Sequence, residues 1–432
     1  MVDRWIADAS HVRDRARPLV WFHAPSVGEG LQARPIIESL QRTRPDIQIA
    51  YSFFSPSAQS FANSLNVDIT NYLPFDSEAD ARAVIDALAP TALFFVKLDV
   101  WPKLVSVAKR NGVLVGLLSG TVAPASGRQG TVSRAILHDA YAALDVVGAI
   151  DAANGERLCG LGVANDRLTV SGDTRFDQVW KRAEGVDRNS ALLRSLQSNQ
   201  PTVVAGSTWP ADEAVLLAAW TDVKRRVPEA RLIIAPHEPT TEHLQPTLDW
   251  AREEKLSVAL LAELVKHDTS PASATTTAPA KTTATRTATA TAQTRANPES
   301  HFSFNSRSSN IDVVIVDRVG VLGDIYALAD VAFVGGAFHK AGLHSVLEPA
   351  AYGVPVVFGP AHTMSREAGL LLQQNGARTV ASREECATVM AEWLNNKSAR
   401  AHSGARAKSF VQSELGAAER SMQLVLRAFA SR

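Results

Sequence analysis

The sequence predicts an α/β protein built from two Rossmann-like domains that face each other across a cleft. Three observations carry that expectation. Short apolar runs alternate with amphipathic helical segments through most of the chain, the mark of βαβ units around a parallel sheet. The alternation stops in a polar stretch at 181–200 and then restarts. At 432 residues the chain is also longer than one hydrophobic core ordinarily organises.

In the first half the strand candidates are 19–23, 47–54, 92–96, 113–118, 146–150 and 168–171. Helical patterns run from Glu29 to about Arg42 and over 79–88, 102–110, 133–143 and 152–161. In the second half the strands fall at 202–205, 231–235, 258–261, 313–316, 331–334, 354–358 and 377–380. Helices fit 211–226, 242–254, 323–329, 345–352, 366–374, 384–395 and much of 398–430. The expected division is a domain at 1–180, a linker at 181–200, a second domain at 201–415 and a C-terminal helix at 416–432. One stretch, 269–309, is almost wholly Thr, Ala, Ser, Pro and Arg and has no apolar period. It cannot bury enough surface to offset its ordering entropy, so it reads as a disordered insertion. A basic tether through Lys281, Arg286, Arg295 and Arg307 is the functional alternative.

Composition excludes several classes. Lys plus Arg and Asp plus Glu both number 44, so no global field draws the chain to nucleic acid. The two cysteines, Cys159 and Cys386, stand far apart without His or Cys neighbours, which disfavours a disulfide framework and a zinc site and fits a reducing compartment. No apolar run approaches the ~18 residues of a membrane helix, and residues 1–17 lack the apolar centre of a signal peptide.

The stretch from Trp21 to Gly30 is a buried strand stopping at a Pro-Ser-Val-Gly turn that feeds a helix, where open α/β sheets put their ligands. Glu29 sits at that helix mouth, either as helix-favouring chemistry or as a catalytic carboxylate. In the second half, Gly206-Ser207-Thr208-Trp209-Pro210 opens a helix with Asp212 and Glu213 in its first turn, an anion cradle or a set of caps. Asp317 to Gly323 is another strand-to-helix turn, and the strand ending in Gly335-Gly336 leads to a helix start where His344 and Glu348, four apart, would share one face. His344 as a cap and Glu348 as a solvated residue are the structural alternatives, but Glu348 beside Leu347 and Pro349 fits a solvated surface poorly.

Together these motifs resemble a family. The paired glycines, Glu348-Pro349-Ala350-Ala351 and Gly353-Val354-Pro355 resemble the nucleotide-sugar site of GT-B glycosyltransferases. More closely, His23 to Glu29, Ser171 to Asp177, Gly206-Ser207-Thr208 and His344 to Pro349 are similar to the bacterial transferases of 3-deoxy-D-manno-octulosonic acid (Kdo), in order from about Val20 to Arg378. The resemblance implies transfer of Kdo from CMP-Kdo to a lipid A precursor such as lipid IVA, inverting and without a metal or other cofactor. It implies Glu29 as general base with Asp99 as the second acid, an acceptor-binding first domain and a CMP-sugar-binding second domain. The donor would meet Ser207, Thr208, His237, Gly320, Val321, Leu322, Gly335, Gly336, His344, Ser345 and Glu348, with Glu348 on its ribose. Ser26, Gly28 and Arg175 are acceptor or anion-binding candidates, Arg175 being equally readable as half of a structural ion pair. The implied setting is the cytoplasmic face of the inner membrane, peripheral here because the family's usual N-terminal anchor does not precede Trp5. Oligomeric state is left open.

The chain departs from the family pattern at three places. Lys97-Leu98-Asp99 stands where members usually carry Glu-Thr-Glu, Ser345 where they carry Asn, and Pro236-His237-Glu238 where many have Pro-Arg-His. A GT-B enzyme with a different nucleotide sugar, and a degenerate binding homologue, are the alternatives these departures keep open.

Overall fold

In a computed structural model of the protein, residues 1–124, 126–268, 311–340 and 342–430 are described. The insertion expected at 269–309, with its tether alternative, lies outside them. The chain divides into two compact units, Met1–Gly185 with Lys408–Arg432, and Val186–Ala407.

The first unit is a seven-stranded, wholly parallel sheet. Its strands are β1 (Leu19–His23), β2 (Gln48–Phe53), β3 (Ile69–Tyr72), β4 (Ala92–Val96), β5 (Leu114–Gly120), β6 (Val146–Ala149) and β7 (Leu168–Val170), in the order β3-β2-β1-β4-β5-β6-β7. Every residue of β1, β2, β4 and β5 is buried, as expected when helices cover both faces of a parallel sheet. Alternation divides the side chains between two cores. Trp21, Leu93 and Phe95 point to one, Val20, Phe22 and Phe94 to the other.

Among the elements of this unit that were not expected are an edge strand and the first helix. β3 is a four-residue edge strand, Ile-Thr-Asn-Tyr, whose alternating burial gives it no continuous apolar run. The helix Val2–Val12 is polar on most of its surface, yet Trp5 is fully buried, tilted against Trp21 at 5.5 Å, with its indole N–H donating to the Tyr72 carbonyl at 2.9 Å.

The second unit repeats the plan with a different order. Its strands are β8 (Thr202–Thr208), β9 (Arg231–Pro236), β10 (Val258–Leu260), β11 (Val313–Ile315), β12 (Val331–Val334), β13 (Val356–Phe358) and β14 (Ala377–Thr379). They run β10-β11-β9-β8-β12-β13-β14, all parallel. The strand order reverses direction beside β8, so the carboxyl ends of β8 and β12 form the topological switch of the sheet.

Three expectations are corrected. The stretch 181–200 is not a bare linker, for it holds the end of the helix Thr174–Glu184 and the helix Ala191–Ser195. The second unit ends at Ala407 and not at 415. The reason is the helix Ala417–Ala430, whose Met422, Val425 and Ala428 complete the first unit's core around Val20, Phe22 and Ile36. The Asp177 carboxylate accepts from the backbone N–H of Gly416 at 2.7 Å and Ala418 at 2.9 Å, seating that helix, and the Arg420 guanidinium donates to the Ser171 carbonyl at 2.8 Å. The helices expected at 323–329 and 345–352 are short, Leu322–Ile325 with a 3-10 turn and Leu347–Ala351. The His344 N–H is taken by the Gly335 carbonyl at 3.1 Å, so helical bonding begins only beyond it. Asp177→Ala should therefore cost about 1–2 kcal/mol in the first unit, read as a lower urea midpoint, with Asn restoring part of it.

Candidate active site

In the first unit the chemistry gathers at the carboxyl ends of β1 and β4. β1 stops at His23, and Ala24-Pro25-Ser26 turns the chain into the helix Val27–Thr43 with extended Ser26 at its N-cap. Glu29 lies in the first turn. Its Oε1 accepts from the Lys97 ammonium at 2.8 Å, and its Oε2 accepts from the Ser26 hydroxyl. The Glu29 side chain is 14% exposed and that of Lys97 is 43% exposed. Burial pushes the Glu29 carboxyl up, but the bonds from Lys97 and Ser26 outweigh it and hold the group below the ordinary glutamate value. The carboxylate is thus ionised throughout the neutral range.

Lys97 follows β4 directly and has a left-handed backbone, φ 73°. Both its peptide groups are fixed: its N–H donates to the Leu118 carbonyl at 2.8 Å and its carbonyl accepts from Thr121 at 3.0 Å. Two residues on, Asp99 accepts from the Trp101 indole at 2.9 Å and from Arg128 at 3.2 Å. His23 Nε2 stands 3.7 Å from Asp99 Oδ2, beyond hydrogen-bond length, while its Nδ1 meets the Ser52 hydroxyl at 2.9 Å. Burial raises Asp99, but His23, Trp101 and Arg128 together bring it below the usual aspartate value. Glu29 and Asp99 therefore belong to two adjoining networks, one led by Lys97 and one by Arg128 and His23.

Of the other candidates here, Ser26 is engaged with Glu29. Gly28 faces open space, since a Cβ there would meet only the Ser26 hydroxyl at 3.7 Å. Arg175 forks onto Asp173, with Nε and Nη2 at 2.9 and 2.6 Å from Oδ2, and Asp173 is 1% exposed. The ion-pair alternative is the one the structure displays.

In the second unit, β8 bulges at Ser207, which takes φ 54°, and the chain enters the helix Pro210–Arg226. Thr208 donates to the Glu213 carboxylate at 2.7 Å, and burial pushes that carboxyl up. Asp212, fully buried, accepts from three backbone N–H groups: Trp209 at 2.9 Å, Gly336 at 2.7 Å and Phe338 at 3.1 Å. The glycine pair therefore serves packing. A Cβ on Gly335 would strike the Ser207 and Thr208 backbone, and one on Gly336 the Gly342 carbonyl. At this pair one turn approaches another.

Above that junction lies an aromatic stack. The Trp209 ring lies on His237 at 4.6 Å and on His339 at 5.3 Å, and His237 lies on His344 at 4.6 Å. The Trp209 indole N–H donates to His344 Nε2 at 3.1 Å. Indole can only donate, so Nε2 carries no proton and the neutral ring keeps its proton on Nδ1. Burial, with His237 beside it, lowers the His344 pKa and favours that neutral form.

Ser207, Thr208, Gly335, Gly336, His237 and His344 thus converge. Leu322 joins them through Tyr326 and Gly206, because Leu322 and the buried Tyr326 hydroxyl occupy the space a Cβ on Gly206 would need. The Tyr326 hydroxyl is pushed up by burial and by the charge of Glu348, which places Glu348 beside the same strand end. Gly320 and Val321 lead into a single helical turn, Leu322–Ile325. Ser345 points to solvent. His344 precedes the helix that carries Glu348, so the two do not share a helix face.

Arg128, Trp209 and His339 were missed as site residues. Trp209 lay inside a noticed motif, whereas nothing near His339 marks it, because its ring partner is 130 residues away in sequence. Among the described residues, no group of three or more His, Cys, Asp or Glu side chains could hold a metal ion.

Residues 4–178 match the family described as 3-Deoxy-D-manno-octulosonic-acid transferase (kdotransferase). The 3-deoxy-D-manno-octulosonic acid transferase of Haemophilus influenzae is 23% identical over 419 residues, covering 94% of this chain and 86% of that one. The Chlamydia muridarum enzyme of that name is 26% identical over 368 residues, covering 82% and 73%. Among solved structures, UDP-GlcNAc 2-epimerase from Neisseria meningitidis has a TM-score of 0.61 at 9% identity, covering 96% of this chain and all of that one. A glycosyltransferase from Rickettsia africae scores 0.58 at 10% identity, covering 96% and 98%. The two structures share the fold, GT-B, two parallel-sheet α/β domains in one chain. The family match thus falls on the first unit, while the two Kdo transferases align across both units.

Proposed function

We propose that this protein transfers Kdo from CMP-Kdo to a lipid A precursor, lipid IVA, inverting the anomeric centre without a metal. The first unit binds the acceptor and carries the base, Glu29. The second unit binds the donor. The observation that supports this most directly is Glu29 itself, a carboxylate at a helix mouth, mostly withdrawn from water yet kept ionised.

The chemistry asks little covalent work of the protein. As the acceptor hydroxyl attacks the anomeric carbon, its proton passes to Glu29, the new C–O bond forms, and the bond to the phosphate oxygen breaks with CMP taking the electron pair. Charge then grows on the leaving phosphate, which donors fixed in advance stabilise. The neutral His344 ring offers its Nδ1–H for that purpose, the Ser207 hydroxyl stands at the β8 bulge, and the Trp209–His237 stack supplies a flat apolar platform for the base. Glu348, beside the same strand end, is assigned to the ribose, and Asp99 to orienting Arg128 next to His23. Among the described residues no helix is long and apolar enough to cross a membrane. The reaction is assigned to the cytoplasmic face of the inner membrane because a lipid acceptor is presented there.

Incubation of the full chain with CMP-Kdo and lipid IVA should give a Kdo-bearing lipid by mass spectrometry; a folded sample that forms none overturns the proposal. Glu29→Gln should lower turnover roughly 10²- to 10⁴-fold while CMP-Kdo still binds, and a near-normal rate would move the base elsewhere. His344→Ala should weaken CMP-Kdo binding about tenfold by calorimetry. CMP should raise the melting temperature where UDP and GDP do not.

A further inference from the structure

We infer that Lys97 is a positioning residue for the transfer, its ammonium holding the Glu29 carboxylate in place, and that the backbone is strained to put it there. The inference rests on the reading of Glu29 as the base. Left-handed backbone is the province of glycine, and a long side chain there is strained. A chain that needed only a tight turn after β4 would be better served by glycine. Instead φ is 73° with a lysine in place, locked by the bonds to Leu118 and Thr121 on either side. Those two bonds fix the direction in which the side chain leaves the backbone, and that direction ends 2.8 Å from Glu29 Oε1.

The remaining groups around Glu29 do not duplicate the ammonium. Ser26 bonds the other carboxylate oxygen, and the neighbouring Tyr51 hydroxyl is buried and neutral, its pKa raised by burial and by Glu29. Arg34, further along the same helix, lies over the Phe61 ring at 4.5 Å, and Arg128 is turned to Asp99. His23 bonds Ser52 and faces Asp99. Among the described residues, Lys97 is the one cation bonded to Glu29. It fixes the plane of the carboxylate and keeps it ionised. Lys97 itself gains and loses no proton in the reaction: the acceptor's proton goes to Glu29 and the electron pair leaves with CMP. Where family members usually carry an acid, this chain carries a cation that the base uses.

The experiment compares Lys97→Met, Lys97→Gly, Lys97→Arg and Glu29→Gln in the full chain, measuring melting temperature, CMP-Kdo binding, and kcat/KM for Kdo transfer against pH. Glycine relieves the backbone, so Lys97→Gly should melt at or above the wild-type temperature. Both Lys97→Gly and Lys97→Met should nevertheless lose roughly 10- to 100-fold in kcat/KM at neutral pH. Without the ammonium, burial dominates and the Glu29 carboxyl rises. The acid limb of the profile therefore moves to higher pH, and the loss shrinks above it. Lys97→Arg should return the limb and most of the rate. Wild-type rate and limb in Lys97→Gly and Lys97→Met, beside an inactive Glu29→Gln, overturn the role of Lys97 alone. A failure of Lys97→Arg to rescue does the same. An active Glu29→Gln overturns the base reading, and this inference with it.

Discussion

One buried carboxylate organises the second unit. Asp212 has no exposure to water and collects three backbone N–H groups from two separate turns. A buried charge costs several kcal/mol unless its oxygens are fully satisfied, so neither turn can move without leaving the other short of a partner. The first of these turns carries Ser207, Thr208 and Trp209, and the second carries Gly335, Gly336 and Phe338. Their fixed separation lets the Trp209 ring reach the imidazoles and lets its N–H fix the tautomer of His344. The two glycines follow from the same constraint, since any side chain there would push the turns apart.

The first unit is arranged on a different balance. Glu29 keeps its charge through one ammonium and one hydroxyl, at the rim of the sheet instead of beneath it. Both sheets hold left-handed non-glycine residues at strand carboxyl ends, beside others that follow helices. Lys97, Ser119 and Ser207, all left-handed without being glycine, stand at the carboxyl ends of β4, β5 and β8. In parallel sheets those ends are where the chain must leave the ladder and turn over ligand space, so strain can be held there by the rigid strands behind it.

Much of this was legible from residues alone, and the reasons are physical. Parallel strands buried on both faces leave continuous apolar runs, so β1, β4, β5, β8, β9 and β12 stood out. β3 did not, because an edge strand half open to water has no such run. Helix lengths around His344 were overread because the Gly335 carbonyl, at the end of the preceding strand, claims the N–H that periodicity assigned to a helix. Glu29 was visible because its helix mouth is local in sequence. Its partnership with Lys97 was not, for 68 residues separate them and the charge reversal read as a defect. Ion pairs between strand ends leave no periodic trace.

The helix Ala417–Ala430 gives the chain a particular history during synthesis. Met422, Val425 and Ala428 cover Val20 and Phe22, residues made four hundred positions earlier. A ribosome working along this message completes the whole 186–407 unit while part of the first sheet's apolar face still waits for its cover. Domains fold as units as they emerge. Here the unit begun first is finished last, and its unfinished face is what folding helpers would meet on the nascent chain.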